Sequence, residues 1–193
     1  MKAFLNGLLV LLSSTWIGHA PAAEVAGVRL EEKAKVGNAE LALNGAGLRT
    51  KVFFKVYVIG LYLPAKATTG AEVVSQKGSK RAHLALVRDV GPEDFSDALI
   101  DGLKNNSSEA EFAAMKPRID QFRQAIVAAG EVKSGSVVHL DYLPETGTRL
   151  AIGGKQLGKD IPGEDFYNAL LRIWIGDKPI QDNLKEALLG KPQ

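Results

Sequence analysis

The chain contains no cysteine, and that absence removes several chemistries at once. Disulfides, thiol nucleophiles, thiolate zinc sites, iron–sulfur clusters and lipid attachment through an N-terminal cysteine all need a sulfur that is not there. Histidine is scarce, at three residues, and methionine at two. His83 and His139 each sit in a strand pattern flanked by apolar residues, with no second ligand at motif spacing, and Met115 falls on an apolar helix stripe. A metal or haem site is therefore unsupported, and no cofactor is implied. Gly-x-Ser-x-Gly is missing, Gly78-Ser79-Lys80 reads as a loop, and Asp141 with Glu145 does not form a carboxylate pair. Neither Gly45-Ala46-Gly47 nor Gly153-Gly154 opens a helix, as a phosphate cradle would require. Charge of one sign is also lacking: 24 basic residues face 22 acidic ones, and Lys80-Arg81 is the single adjacent basic pair. Nucleic-acid binding is set aside on that ground.

What remains is the composition of one ordinary globular domain, with 46% hydrophobic and 24% charged residues in a chain of 193. The first residues stand apart. Lys2 supplies a positive start, Phe4 to Ile17 is mostly apolar but shorter than the roughly 20 residues of a spanning helix, and Ala20-Pro21-Ala22 offers an A-x-A cleavage pattern. Residues 1–22 are expected to be a secretory signal peptide and 23–193 the domain, beginning near Ala23 or Glu24, with a retained anchor as the alternative. The short lysine start suggests a bacterial, periplasmic protein.

Along the domain, Val25 to Leu30 and Glu40 to Leu43 read as short strands, and Asn44-Gly45-Ala46-Gly47 reads as a turn. From Gly47 to Leu63 the pattern is that of a strand with a bulge or bend expected near Phe53 to Lys55. On its even positions lie Val52, Phe54, Val56 and Val58; on its odd ones Arg49, Lys51, Phe53, Lys55 and Tyr57. An unbroken strand sets the Arg49 guanidinium and the Tyr57 phenol on one side, a pairing suited to a carboxylate or an enolate oxygen. The plainer reading of the same face is a row of solvated charges. A short helix is expected near Ala71, a strand over Arg81 to Asp89, and a helix from Pro92 that carries Phe95, Leu99 and Leu103. Ser108 to Glu111 is a capping box for a helix whose stripe of Phe112, Met115, Ile119, Phe122 and Ile126 marks core packing, with Pro117 expected to kink or split it. A strand over Ser136 to Leu143, a hairpin about Gly153-Gly154, and helices marked by Phe166 to Trp174 and by Ile180, Leu184 and Leu188 complete the order. The fold class is α+β, a mainly antiparallel sheet with helices packed on it.

Three segments resemble a known family: Gly47-Leu48-Arg49, Val56-Tyr57-Val58-Ile59-Gly60-Leu61-Tyr62-Leu63, and the run from Gly163 through Phe166-Tyr167-Asn168 and Ile173-Trp174-Ile175-Gly176-Asp177-Lys178 to Pro179. They look like the chalcone isomerase superfamily, nearest its bacterial, exported, chalcone-isomerase-like branch. The resemblance implies an open-faced sheet carrying a layer of helices, with a ligand cleft between them. It also implies that Arg49 takes the place of the arginine that stabilises enolate charge in the plant enzymes, and Tyr57 that of the hydroxyl residue before the Ile-Gly pair. Arginine with tyrosine is similar to the fatty-acid-binding relatives, where the two hold a carboxylate; threonine is typical of the enzymes. Positions that hold a tyrosine and an asparagine on the enzymes' helix match Phe95 and Gly102 here, and neither can replace those hydrogen bonds.

The expectation is thus a non-catalytic exported protein that binds a small apolar, fatty-acid-like ligand, with Arg49, Tyr57 and Phe95 at the site and the cleft lined by Phe54, Val56 and the Phe112 to Phe122 helix. An isomerase (intramolecular lyase) acting on a chalcone-like enone is the alternative, with Tyr57 its one candidate for proton transfer. A partner of an envelope or redox complex is a third reading.

Overall fold

The computed structural model describes residues 23–191, so the expected signal segment lies outside the described residues. Seven antiparallel strands follow one another across a single sheet: β3 (Lys33–Val36), β4 (Ala39–Lys51), β5 (Phe54–Leu63), β6 (Lys80–Leu86), β7 (Val137–Leu143), β8 (Gly147–Ile152) and β9 (Lys155–Gln156). A separate hairpin, β1 (Ala23–Val25) with β2 (Val28–Leu30), precedes them. It replaces the single strand expected over Val25 to Leu30, because Ala26 and Gly27 both take positive φ and fold the chain back. Helices α1 (Gly70–Ser75), α2 (Pro92–Asn105), α3 (Glu109–Ala129), α4 (Glu164–Ile175) and α5 (Asp182–Leu188) complete the α+β architecture read from the sequence.

Strand alternation divides the core in two. Ile59, Leu61 and Leu63 of β5, Leu84 and Leu86 of β6 and Val138 and Leu140 of β7 bury one sheet face under the helices. Val58 and Tyr62, with Leu41, Leu43 and Leu143, bury the other face under Leu30 of β2. The helix layer is held by α4, which lies against the sheet and contacts α2 and α5. Its Tyr167 hydroxyl donates to the Leu140 carbonyl at 3.0 Å. Lys80, fully buried at the start of β6, reaches Glu164 in the first turn of α4 at 3.4 Å.

Two expectations are corrected. Asn44 to Gly47 makes no turn; it is the middle of β4. Asn44 is the extra residue of a bulge between Leu43 and Gly45, and its side chain donates to the carbonyls of Ala67 (2.9 Å) and Leu188 (2.7 Å). Gly45 is needed because α5 ends directly above it: a Cβ there would stand 2.1 Å from the Ala187 carbonyl oxygen. The turn lies instead at Val52-Phe53, between paired Lys51 and Phe54, so the stretch from Gly47 to Leu63 is a hairpin and not one strand. Val52 takes φ of +57° there, a conformation that costs a β-branched residue about 1–2 kcal/mol. Pro117, expected to kink or split α3, does not split it: the helix runs unbroken from its Ser108 cap to Ala129, and Pro117 is on the exposed side, where water can satisfy the carbonyl it frees.

Gly45→Ala is expected to displace the end of α5 and cost about 2–3 kcal/mol, in the range of an overpacked core. Urea denaturation would show it as a lower midpoint at unchanged slope.

Candidate functional site

The hairpin turn places Arg49 on β4 and Tyr57 on β5, and the register pairs them directly across the two strands. Directly opposed residues share a sheet face with Cβ atoms about 5 Å apart. The two groups expected on one side are therefore on one side, through cross-strand pairing and not through spacing along one strand. Just beyond them the ladder slips: Arg49 pairs with Tyr57 but Thr50 with Lys55, so Val56 is the extra residue of a bulge. Val56 is packed against the helix-side core despite its even number.

A cavity of about 390 Å³ opens at this point, between the β4–β5 hairpin, the 88–91 loop and α2. Arg49 and Tyr57 line it together with Val56, Phe54, Phe95 and Leu99, and Ile180 closes one side. Its size falls within the range of small-molecule sites, and its wall is apolar apart from a few polar groups. Lys51 and Arg88 stand at its edge with Asp89 and Asp94, and Arg88 lies 4.9 Å over the Phe54 ring.

The polar groups are held from outside the cavity. Trp174 of α4 donates its indole N–H to the Tyr57 hydroxyl oxygen at 2.9 Å. Among the described residues the Tyr57 O–H has no acceptor of its own. Burial pushes the phenol up to about 12, against smaller opposing effects of the Trp174 hydrogen bond and the Arg49 charge. Tyr57 is thus a neutral donor throughout the physiological range. Arg49 is oriented by Gln181, the residue that precedes α5. The Gln181 side-chain oxygen accepts from Arg49 Nη1 at 3.2 Å and from the Thr50 backbone N–H at 2.9 Å, while its amide donates to the Leu48 carbonyl at 3.2 Å. Arg49 Nη1 also donates to the Thr50 carbonyl. Its Nε and Nη2 have no acceptor, and it forms no ion pair, among the described residues. Two sets of donors, a guanidinium edge and a phenol, thus stand on paired residues that line one largely apolar cavity.

Of the sequence-predicted residues, Arg49, Tyr57 and Phe95 come together, with Phe54 and Val56 beside them. The Phe112 to Phe122 helix does not join them: none of its residues lines this cavity, Met115 and Ile119 are buried in the core, and Phe122 lines a different cavity of about 500 Å³ between α3 and β8. Gly102 also lies elsewhere, under Ile173 of α4, where a Cβ would approach within 2.7 Å of Ile173 Cγ2. Trp174 and Gln181 escaped the sequence reading as site residues. The signal for Trp174 was its N–H, since a buried indole must find an acceptor. A further cavity of about 430 Å³ lies where the α2–α3 turn meets the end of α4. It is a polar joint: Asn106 bonds to both the N–H and the carbonyl of Lys178, and Lys185 donates to the Gly176 carbonyl.

His83 and His139 face each other across β6 and β7 on the sheet face away from the helices, their Nδ1 and Nε2 atoms 2.9 Å apart. Beside them Arg81 holds Asp141 through two 2.6 Å hydrogen bonds. No group of three or more His, Asp or Glu side chains able to hold a metal occurs among the described residues. Burial, reinforced by the neighbouring His139 and Arg81, pushes the His83 imidazole down to about 4, with Asp141 acting weakly the other way.

Comparison with known proteins bears on this geometry. The chalcone isomerase-like family model matches residues 22–190. Among solved structures, a fatty-acid binding protein of Arabidopsis thaliana superposes with a TM-score of 0.62 over 84% of this chain and 92% of that one, at 15% identity. At that identity the likeness is one of fold. No curated protein sequence matches the chain.

Because His83 is neutral in the folded protein down to about 4 but takes up a proton near 6.5 when unfolded, acid favours the unfolded state across that window. Stability is expected to fall as pH drops from about 6.5 towards 4. In His83→Gln the difference between melting temperatures measured at the two ends should shrink.

Proposed function

The chain belongs to the chalcone isomerase-like family, and from that membership and the donors in its cavity we propose that it binds a small apolar ligand with an acidic head group, a fatty-acid-like molecule, without transforming it. One observation carries the reading: Arg49, with free donors, and Tyr57, with a free O–H, pair across the strands and line the same largely apolar cavity. A carboxylate accepts from both, the guanidinium edge supplying charge and direction and the phenol a further hydrogen bond. Phe95, Val56 and Leu99 receive the chain, and burial of its methylenes supplies the affinity. The fatty-acid binding of the Arabidopsis protein of like fold supports the choice of ligand class.

Absence of turnover follows from the same groups. A general acid or base works best with its pKa near the operating pH, whereas Tyr57 is pushed up to about 12. Phe95 has no hydrogen-bonding group with which to order a polar substrate or a water molecule. In this reading the protein acts after export, with residues 1–22 removed, in a bacterial periplasm. N-terminal sequencing of protein recovered from the cell envelope should then begin near Ala23, and an intact Met1 would contradict it.

Mass spectrometry of lipid extracted from the purified protein should find a long-chain acid. Arg49→Ala is expected to weaken binding of such an acid at least about tenfold, roughly the 1.4 kcal/mol of one charge-assisted contact; unchanged affinity would remove Arg49 from the site. The same protein should cyclise a chalcone no faster than buffer does, and stereoselective cyclisation would replace the binding reading with the isomerase one.

A further inference from the structure

The β4–β5 hairpin ends on three consecutive apolar residues turned to solvent, Val52 at 77%, Phe53 at 90% and Phe54 at 62% exposure. Folding does not account for them. The first residue of a two-residue turn at positive φ is ordinarily glycine or asparagine, and either would make this turn more cheaply than Val52 does at +57°. Positive charge surrounds the tip. Lys51 and Lys55 flank it and Arg88 stacks on the Phe54 ring, and none of the three forms an ion pair among the described residues. Asp89, next to Arg88 in the 88–91 loop, is already held by Lys133 at 3.0 Å and by the Ser134 N–H, and Asp94 lines the cavity from α2.

Apolar residues at an apex with cations behind them match the layering of a lipid surface that carries anionic headgroups: acyl chains inside, phosphates outside. A protein partner fits less well, since a stable interface covers about 800 Å² on each side and a two-residue turn offers no such face. The tip is also part of the cavity's rim, to which Lys51, Val52 and Phe54 belong. We propose that this hairpin docks on an anionic bilayer, Val52 and Phe53 seated among the headgroups and Lys51, Lys55 and Arg88 on the phosphates, so that the cavity opens against the membrane that supplies or receives its ligand. The docking rests on the hairpin alone; the exchange of ligand rests also on the binding function proposed above.

Phe53 separates the two, because it is exposed and does not line the cavity. The purified protein is sedimented with vesicles of phosphatidylcholine and with vesicles that also contain phosphatidylglycerol. The wild type should bind the anionic vesicles, and release from them should follow added salt. Phe53→Ser should weaken this at least about tenfold, and Lys51→Glu with Lys55→Glu should abolish the preference for phosphatidylglycerol. A fluorescent long-chain acid, titrated without vesicles, should bind Phe53→Ser as it binds the wild type. Wild-type protein that ignores anionic vesicles, or Phe53→Ser that sediments as the wild type does, overturns the docking. Self-association through the tip without vesicle binding overturns it in favour of a second copy. Vesicle binding that depends on Phe53 while the fatty acid fails to bind upholds the docking and discards the ligand assignment.

Discussion

Of the twelve residues of α4, eight are buried, so this helix can lie against the sheet in only one rotation. That rotation takes the Trp174 indole into the core, where an N–H without an acceptor would carry the full cost of its lost hydration. The acceptor is the Tyr57 oxygen. One hydrogen bond therefore ties the helix layer to β5 and leaves the phenol a single direction in which to donate. Tyr167, seven residues earlier on α4, makes the second tie, to β7 through Leu140. With the helix fixed at both points, the chain beyond it is aimed as well. The turn after Ile175 delivers Gln181 to the backbone of β4 at Leu48 and Thr50, and Gln181 in turn holds Arg49. Neither polar group of the cavity is positioned by its own strand alone.

The proposed binding of an acid draws on this arrangement. A guanidinium and a neutral phenol, both supported from behind, are preorganised donors that need little rearrangement to receive a carboxylate. A reaction would require a proton to move at neutral pH. The features that make Tyr57 a well-held donor, burial and a fixed indole partner, are those that keep its proton in place.

Arg49 and Tyr57 were legible as a pair in the sequence, but for a reason that the structure replaces. Alternation set them on one side of an unbroken strand, whereas a turn separates them and cross-strand register reunites them. The turn was invisible because Val52-Phe53 carries none of the residues that announce one; the announcing residues, Asn44 to Gly47, serve a bulge and the close approach of α5 instead. Local chemistry states what a residue can tolerate, and which tolerance is used is decided by tertiary packing. The helix stripes were legible as core for the same reason that the cavity was not: amphipathicity tells that Phe95 and Phe122 turn inward, not which of them meets the cavity beside Arg49 and Tyr57. Trp174 and Gln181 lie 117 and 132 residues from their partners, beyond any local pattern.

The bend foreseen near Phe53 to Lys55 proves to be two features with separate effects. The turn sets β4 and β5 antiparallel and carries the apolar tip outward. The bulge at Val56 adds one residue to β5 only, and it ends the strict alternation at the point where the cavity begins. Without it, Val56 would join Val58 on the opposite face and the wall beside Tyr57 would open to solvent. With it, Val56 and Tyr57 turn to the same side as neighbours, one apolar and one polar. A single extra residue thus sets an apolar side chain beside the polar Tyr57 on one face, a few residues after the strained turn at Val52-Phe53.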